Sequence, residues 1–222
     1  IVVANPKKSS EIDEVINNCI SLAKSSLIQG PTIDKLTKLF TVIGQNDLCD
    51  TGAVVNSLMT NINKNSLHAT SRCIAAVTNR VKSVMNPYIK KFIDSLSNST
   101  ESLVQQLSLL SLSELGKEID LSSDKKVIET VIALFGSNDE DTKYNASIAL
   151  GGIALGNINH YLPMVLELIN EKKEYQYLLL NTLKEIIIHG NKETFEILKK
   201  QNIHKFLFDY TETPDENLRQ IV

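Results

Sequence analysis

Tyr161-Leu162-Pro163-Met164-Val165-Leu166-Glu167-Leu168-Ile169 decides the fold, because its apolar residues fall in a pattern that the chain uses more than once. Tyr161, Leu162, Val165, Leu166 and Ile169 stand at i, i+1, i+4, i+5 and i+8, a broad stripe on one face of a helix. The same offsets occur at Val127, Ile128, Val131, Ile132 and Phe135, and at Tyr88, Ile89, Phe92, Ile93 and Leu96. The three starts are 39 and 34 residues apart.

Between these helices lie others rich in Leu, Ala and small residues, expected over Ser66–Val81, Ser102–Lys117, Asp141–Leu155 and Tyr175–His189. Two helices in each period of about 35–40 residues form the signature of an α-solenoid of the HEAT or armadillo type. The expected class is therefore all-α, an α-α superhelix of about five helix pairs. Its approximate repeats are 11–44, 48–97, 99–136, 138–170 and 173–210, with a truncated one from 213. Ala75, Ala76, Ala146, Ala149, Gly151, Gly152 and Ala154 let neighbouring helices approach closely, so packing is their role.

Start signals support the division. Asn86-Pro87 places an N-cap before a proline at the first helical position, where the missing N–H costs nothing. Asn138-Asp139-Glu140-Asp141 loads negative charge at a helix N-terminus, and Ser122-Ser123-Asp124 and Ser99-Thr100-Glu101 read alike. Gly30-Pro31 opens a helix over Pro31–Ile43, preceded by one over Glu11–Leu27. Thr51 to Asn61 reads as a further helix, followed by the polar loop Asn61–Asn65. Thr213-Pro214-Asp215-Glu216 reads as a capping box with proline at N1, opening a helix with Leu218, Ile221 and Val222 on its apolar side.

Composition narrows the function classes. The 222 residues carry 23 basic and 26 acidic side chains, a net charge of -3, so no basic surplus exists to neutralise phosphates and nucleic acid is not an expected partner. Charge is uneven: residues 1–112 hold 11 basic and 8 acidic residues, residues 113–222 hold 12 and 18. The longest apolar stretch, around Ile148–Gly156, is far short of the ~20 residues that a membrane helix needs, so no membrane association is expected. Cys19, Cys49 and Cys73 are odd in number and fit neither a CxxC pair nor a zinc knuckle, which points to a reducing compartment. The first residue, Ile1, and the last, Val222, suggest an internal fragment with apolar faces open at both ends.

Catalytic chemistry needs converging groups. His68, His160, His189 and His204 are scattered, without an HExxH motif, so no metal ligand is assigned. Gly-Gly-Ile-Ala-Leu-Gly at Gly151–Gly156 lacks the Lys-Ser/Thr of a phosphate-binding loop and a preceding strand, so close helix packing explains it better. No nucleophile elbow is present. The expectation is a non-enzyme, with no catalytic residue and no cofactor.

Three longer motifs carry a resemblance. LSLLSLSELGKEIDLS (Leu107–Ser122), ASIALGGIALGNINHYLPMVLELI (Ala146–Ile169) and QYLLLNTLKEIII (Gln176–Ile188) together resemble the cullin-associated and neddylation-dissociated (CAND) family of HEAT-repeat proteins, also called TATA-binding-protein-interacting proteins. The resemblance covers about Ser66–Ile188. Ser113 and Gly152 stand where the family tends to have Gly and Ser respectively, Ile158-Asn159 where Leu-Pro is usual, and Met164 where Phe is. These exchanges leave the repeat intact.

The resemblance implies a protein that wraps an unneddylated cullin–RING scaffold, sequesters it and promotes exchange of substrate receptors. The implied partners are the cullin and its RING subunit, with TATA-binding protein by family analogy, and the implied compartments are cytoplasm and nucleus. The Tyr88, Val127 and Tyr161 helices are expected to line the concave side, as second helices do in HEAT repeats. Their polar positions Lys90, Lys91, Lys125 and Lys126 are the candidate partner contacts, against a plain reading as solvated helix faces. The rival function is a HEAT scaffold of another complex, in nuclear transport or phosphatase assembly.

Overall fold

Where the backbone can turn decides where each helix begins. The computed structural model describes residues 10–46, 48–80, 82 and 85–221, and they form thirteen α-helices and three short 3-10 turns, with no strand among the described residues. The helical class expected from the periodicity is the one observed. Ile1, Val81 and Val222, which entered the sequence reading, lie outside the described residues. The chain divides into two compact units, residues 1–82 and 83–222.

The first unit contains α1 (Ser10–Ala23), α2 (Pro31–Gln45), α3 (Thr51–Leu58) and α4 (Leu67–Thr78). Gly30 caps α2 with φ 51°, a left-handed conformation that costs glycine little, and Pro31 follows at the first helical position. α3 opens on Asp50, whose carboxylate accepts the Ala53 N–H, and ends at Leu58, three residues before the expected Asn61. The helices meet over Phe40, Val55, Leu58, Ile74 and Val77, all essentially buried. α2 and α4 come close enough that a Cβ on Gly44 would strike the Val77 carbonyl.

The second unit holds α5 (Pro87–Asn98), α6 (Ser102–Gly116), α7 (Lys125–Ala133), α8 (Glu140–Gly156), α9 (Ile158–Glu171), α10 (Gln176–His189), α11 (Lys192–Lys200), α12 (Ile203–Thr211) and α13 (Glu216–Ile221). α6 packs on α8 and α8 on α10, forming one row; α5 lies against α6, α7 against α8 and α9 against α10. Along the three segments that share the repeated stripe, the same positions are buried: Ile89, Ile128 and Leu162; Phe92, Val131 and Val165; Leu96, Phe135 and Ile169, with Phe135 in the 3-10 turn that follows α7. Each such side chain contributes roughly 1.5–3 kcal/mol when buried.

The inner row is held by small residues and by hydrogen bonds between successive helices. A Cβ on Gly116 would lie 2.6 Å from Ile153 Cα, and one on Gly151 would lie 2.6 Å from Glu185 Cβ. Gly151–Gly156 is thus the closely packed C-terminal part of α8. Asn181 Nδ2 donates to Ser147 Oγ at 2.8 Å, Thr182 Oγ1 to Ser147 O at 3.0 Å, and Ser113 Oγ to Ile148 O at 3.2 Å. Each of these bonds avoids the cost of about 1–3 kcal/mol that an unmade hydrogen bond carries at a buried polar group, whereas Ser108 Oγ and Asn181 Oδ1 in the same row have no partner among the described residues.

Caps follow the sequence at most starts. Asn86 accepts from Tyr88 N, Asp124 from Lys126 N and Asp139 from Thr142 N. The expected capping box at Thr213 is not formed: α13 starts at Glu216, and the Asp215 carboxylate receives the N–H groups of Asn217 and Leu218. Thr213 and Pro214 instead turn their carbonyls to the Arg219 guanidinium, at 2.6 and 3.0 Å, which holds them outside the helix. A reciprocal capping box does occur at Asn191 and Thr194, where the start of α11 was not anticipated.

Candidate functional site

α7 and α9 are both short of their neighbours on one side. α5 packs on α7, but the backbones of α7 and α9 stay apart, and between them lies a groove of about 570 Å³. Its walls are Ile128, Ile132 and Ala133 from α7 and Tyr161, Met164 and Leu168 from α9; Ser122, Lys125, Glu129 and His160 form its polar rim. The apolar wall follows from the stripe. Ile128 and Tyr161 face the core, whereas Ile132, Met164 and Leu168 stand beside the buried columns and stay half-buried. Met164 adds a flexible, polarisable side chain suited to an adaptable contact.

One end of the groove is fixed by a polar knot. Asn157 accepts the His160 N–H as the N-cap of α9, while its amide donates to Asp120 Oδ2 at 2.9 Å and to Ser122 Oγ at 3.3 Å. Ser122 N–H completes the knot by donating to Asp120 Oδ1 at 2.9 Å. Partial burial works against the charge on Asp120, but the hydrogen bonds from Ser122 and Asn157 and the nearby His160 hold its carboxyl below the usual aspartate value. One asparagine therefore couples the α9 start to the turn that precedes α7.

Tyr161 forms the floor. It is 1% exposed, and its hydroxyl has no hydrogen-bond partner among the described residues. Burial, then the negative charges of Asp120 and Asp124, push its phenol up to about 12, so it stays protonated and remains a hydrogen-bond donor. The His160 ring stands edge-on to it at 4.8 Å between centroids.

The four lysines chosen from the sequence do not form one cluster. Lys125 is exposed at the rim of the α7–α9 groove, and its neighbour Lys126 is exposed but does not line it. Lys90 and Lys91 sit on a separate, shallow hollow along α5, with Asp94, Ser95, Asn98 and Ser99. Lys90 is exposed, whereas Lys91 is half-buried and desolvation lowers its ammonium below the ordinary lysine value. The apolar wall of the groove was not singled out in the sequence. The available signal was the pair Met164 and Leu168, one helical turn apart and just outside the repeated stripe.

All four histidines are exposed, and among the described residues no group of three or more His, Cys, Asp or Glu side chains is placed to hold a metal ion. No helix of the described residues is long and apolar enough to cross a membrane. What the surface offers is an apolar groove with a mixed-charge rim, the chemistry of a protein contact.

No family model matches the chain. It is 34% identical over 229 residues to Cullin-associated NEDD8-dissociated protein 1 of Dictyostelium discoideum, covering 95% of this chain and 18% of that protein. The protein of the same name from Arabidopsis thaliana is 30% identical over 224 residues with the same two coverages, and that of Drosophila melanogaster is 31% identical over 201 residues, covering 79% and 16%. The chain thus spans less than a fifth of the length of these relatives. The three proteins align along 95%, 95% and 79% of the chain at 30% identity or more, and the chain belongs to the cullin-associated NEDD8-dissociated protein family.

Proposed function

We propose that this chain is a non-catalytic protein-binding segment of a cullin-associated regulator, and that it contacts an unneddylated cullin–RING scaffold through the face carrying Lys125 and the α7–α9 groove. Within the longer protein, that contact contributes to sequestering the scaffold and to exchanging substrate receptors. The observation that carries the reading is the 34% identity over 95% of the chain to a relative named for cullin association. The groove supports it physically: apolar walls supply contact area, while the exposed Lys125 and Glu129 give orientation and rate more than affinity. Exchange requires that the regulator and the substrate receptor each weaken the other's hold on the cullin, a reciprocal coupling of binding free energies.

The test is a titration of fluorescently labelled chain with an unneddylated cullin–RING complex and with the same complex after neddylation. Saturable binding to the first, weakened by neddylation, is expected. A chain that binds neither complex, but is retained by a nuclear-transport or phosphatase assembly, overturns the reading in favour of another HEAT-type scaffold.

A further inference from the structure

The turns that join α7 to α8 and α9 to α10 bring together a second set of residues, none of them shared with the α7–α9 groove. Phe135 lies in the 3-10 turn Leu134–Gly136 after α7, and Tyr175 in the 3-10 turn Lys173–Tyr175 before α10. Their rings pack edge to face, 5.7 Å between centroids and 70° between planes. Tyr144 from α8 and Tyr177 from the first turn of α10 stand beside them, each 43% exposed, and the four rings wall a cavity of about 460 Å³.

Its charged residues are mostly acidic. Glu140, Asp141 and Glu174 line the cavity, all exposed, and the single cation there, Lys143, lies 2.7 Å from Glu140. Lys172 and Lys173, next along the turn, do not line it. Carboxylates alone would mark only a solvated helix start. Aromatic faces beside them change the chemistry, because the negative face of a ring and a carboxylate both attract a cation that has an extended, weakly hydrated surface. An anion would be repelled, and an apolar ligand would gain nothing from the acidic rim.

We infer that this cavity binds a cationic side chain, an arginine carried by a basic segment of a partner protein. A guanidinium can stack on the Tyr177 or Tyr144 ring while its N–H fork meets the Glu174 or Asp141 carboxylate, a combination that the compact lysine ammonium does not match. The excess of acidic over basic residues in 113–222, 18 against 12, draws such a segment towards this part of the chain before contact.

The test is fluorescence anisotropy of the 222-residue chain with a labelled peptide of three arginines spaced by glycines, and with its citrulline counterpart, which has the same shape without charge. The arginine peptide is expected to bind and the citrulline peptide to bind at least about fivefold more weakly. Tyr177→Ala weakens binding about threefold and Tyr177→Phe leaves it unchanged, since the ring face is what matters. Glu174→Gln weakens it about twofold to threefold, and Glu193→Gln on α11 does not. The inference is overturned if citrulline binds equally well, if Glu174→Gln has no effect, or if Glu193→Gln weakens binding as much, which would mean diffuse attraction to an acidic unit. Glu174 is exposed, so its variant decides the matter even where Tyr177→Ala disturbs the fold. The cullin titration uses none of these variants, so either proposal can fail alone.

Discussion

Gly152 of α8 and Ser113 of α6 meet with nothing between them: a Cβ on Gly152 would collide with the Ser113 hydroxyl and carbonyl. The family resemblance puts glycine at position 113 and serine at 152, the reverse of the Ser113 and Gly152 that meet at this crossing. Only one side of so close a crossing can bear a side chain, and the Ser113 hydroxyl, donating to Ile148 O at 3.2 Å, uses the space that Gly152 leaves.

A double-mutant cycle measures this. Gly152→Ser overpacks the crossing and costs about 1–3 kcal/mol, and Ser113→Gly costs about 1 kcal/mol in helix propensity together with its hydrogen bond. The double variant is expected to be more stable than the sum of the two by at least about 0.5 kcal/mol in urea unfolding. Rescue is partial, because the Ser113 carbonyl stays in the way. Strict additivity would show that the two positions do not share the space.

Asn157 and Asp120 give a prediction in acid. The Asp120 carboxyl is held below its ordinary value, so the stability it contributes is complete above the unfolded-state value of about 3.8 and is lost as pH falls through the lower folded value. Asn157→Ala removes both the α9 cap and a donor to Asp120, costing about 1–2 kcal/mol at pH 7. It should also flatten the acid limb, as Asp120→Asn should. An unchanged acid limb in both variants would remove Asp120 from the account.

Cys73 predicts the behaviour in alkali. Burial pushes its thiol from 9.0 up to about 12, against the lowering effect of the Arg72 guanidinium and with a small raising contribution from Cys19. The folded chain keeps this proton where the unfolded chain has lost it, so the stability it contributes is complete below pH 9.0 and is lost progressively as pH rises towards 12. In the native chain a thiol reagent should label the half-buried Cys49 promptly and the buried Cys73 only on unfolding. Prompt labelling of Cys73 would contradict its place in the core.

Charge on α5 and α7 separates rate from affinity. Reversing Lys90 and Lys91 to Glu should slow association with a cullin–RING scaffold at low salt, with a smaller effect at physiological ionic strength. Lys125→Glu, at the groove rim, should slow association and speed dissociation. Unchanged association in the Lys90 and Lys91 variant would leave α5 as a solvated face and confine the contact to the groove.

Much of this fold was legible because a solenoid repeats its own evidence. The offsets at Tyr88, Val127 and Tyr161 specified a stripe three times, and the buried columns at Ile89, Phe92 and Leu96 and their counterparts followed it. The start of α13 was misread because Thr213-Pro214-Asp215-Glu216 offers two acceptors, and local sequence cannot reveal that Arg219 takes the carbonyls of Thr213 and Pro214. The candidate site was less legible. Lys125 was singled out, but the groove beside it exists because the backbones of α7 and α9 diverge, a property of packing between repeats and not of either helix alone. The aromatic cavity escaped for the same reason, since Phe135 and Tyr175 come from two separate 3-10 turns and Tyr144 and Tyr177 from the helices α8 and α10.

The most direct test is hydrogen–deuterium exchange of this chain with and without an unneddylated cullin–RING scaffold. Added protection is predicted over Lys125–Ala133 and His160–Leu168, the two walls of the groove. Binding that leaves both segments exchanging as in the free chain, with protection elsewhere, would contradict the account.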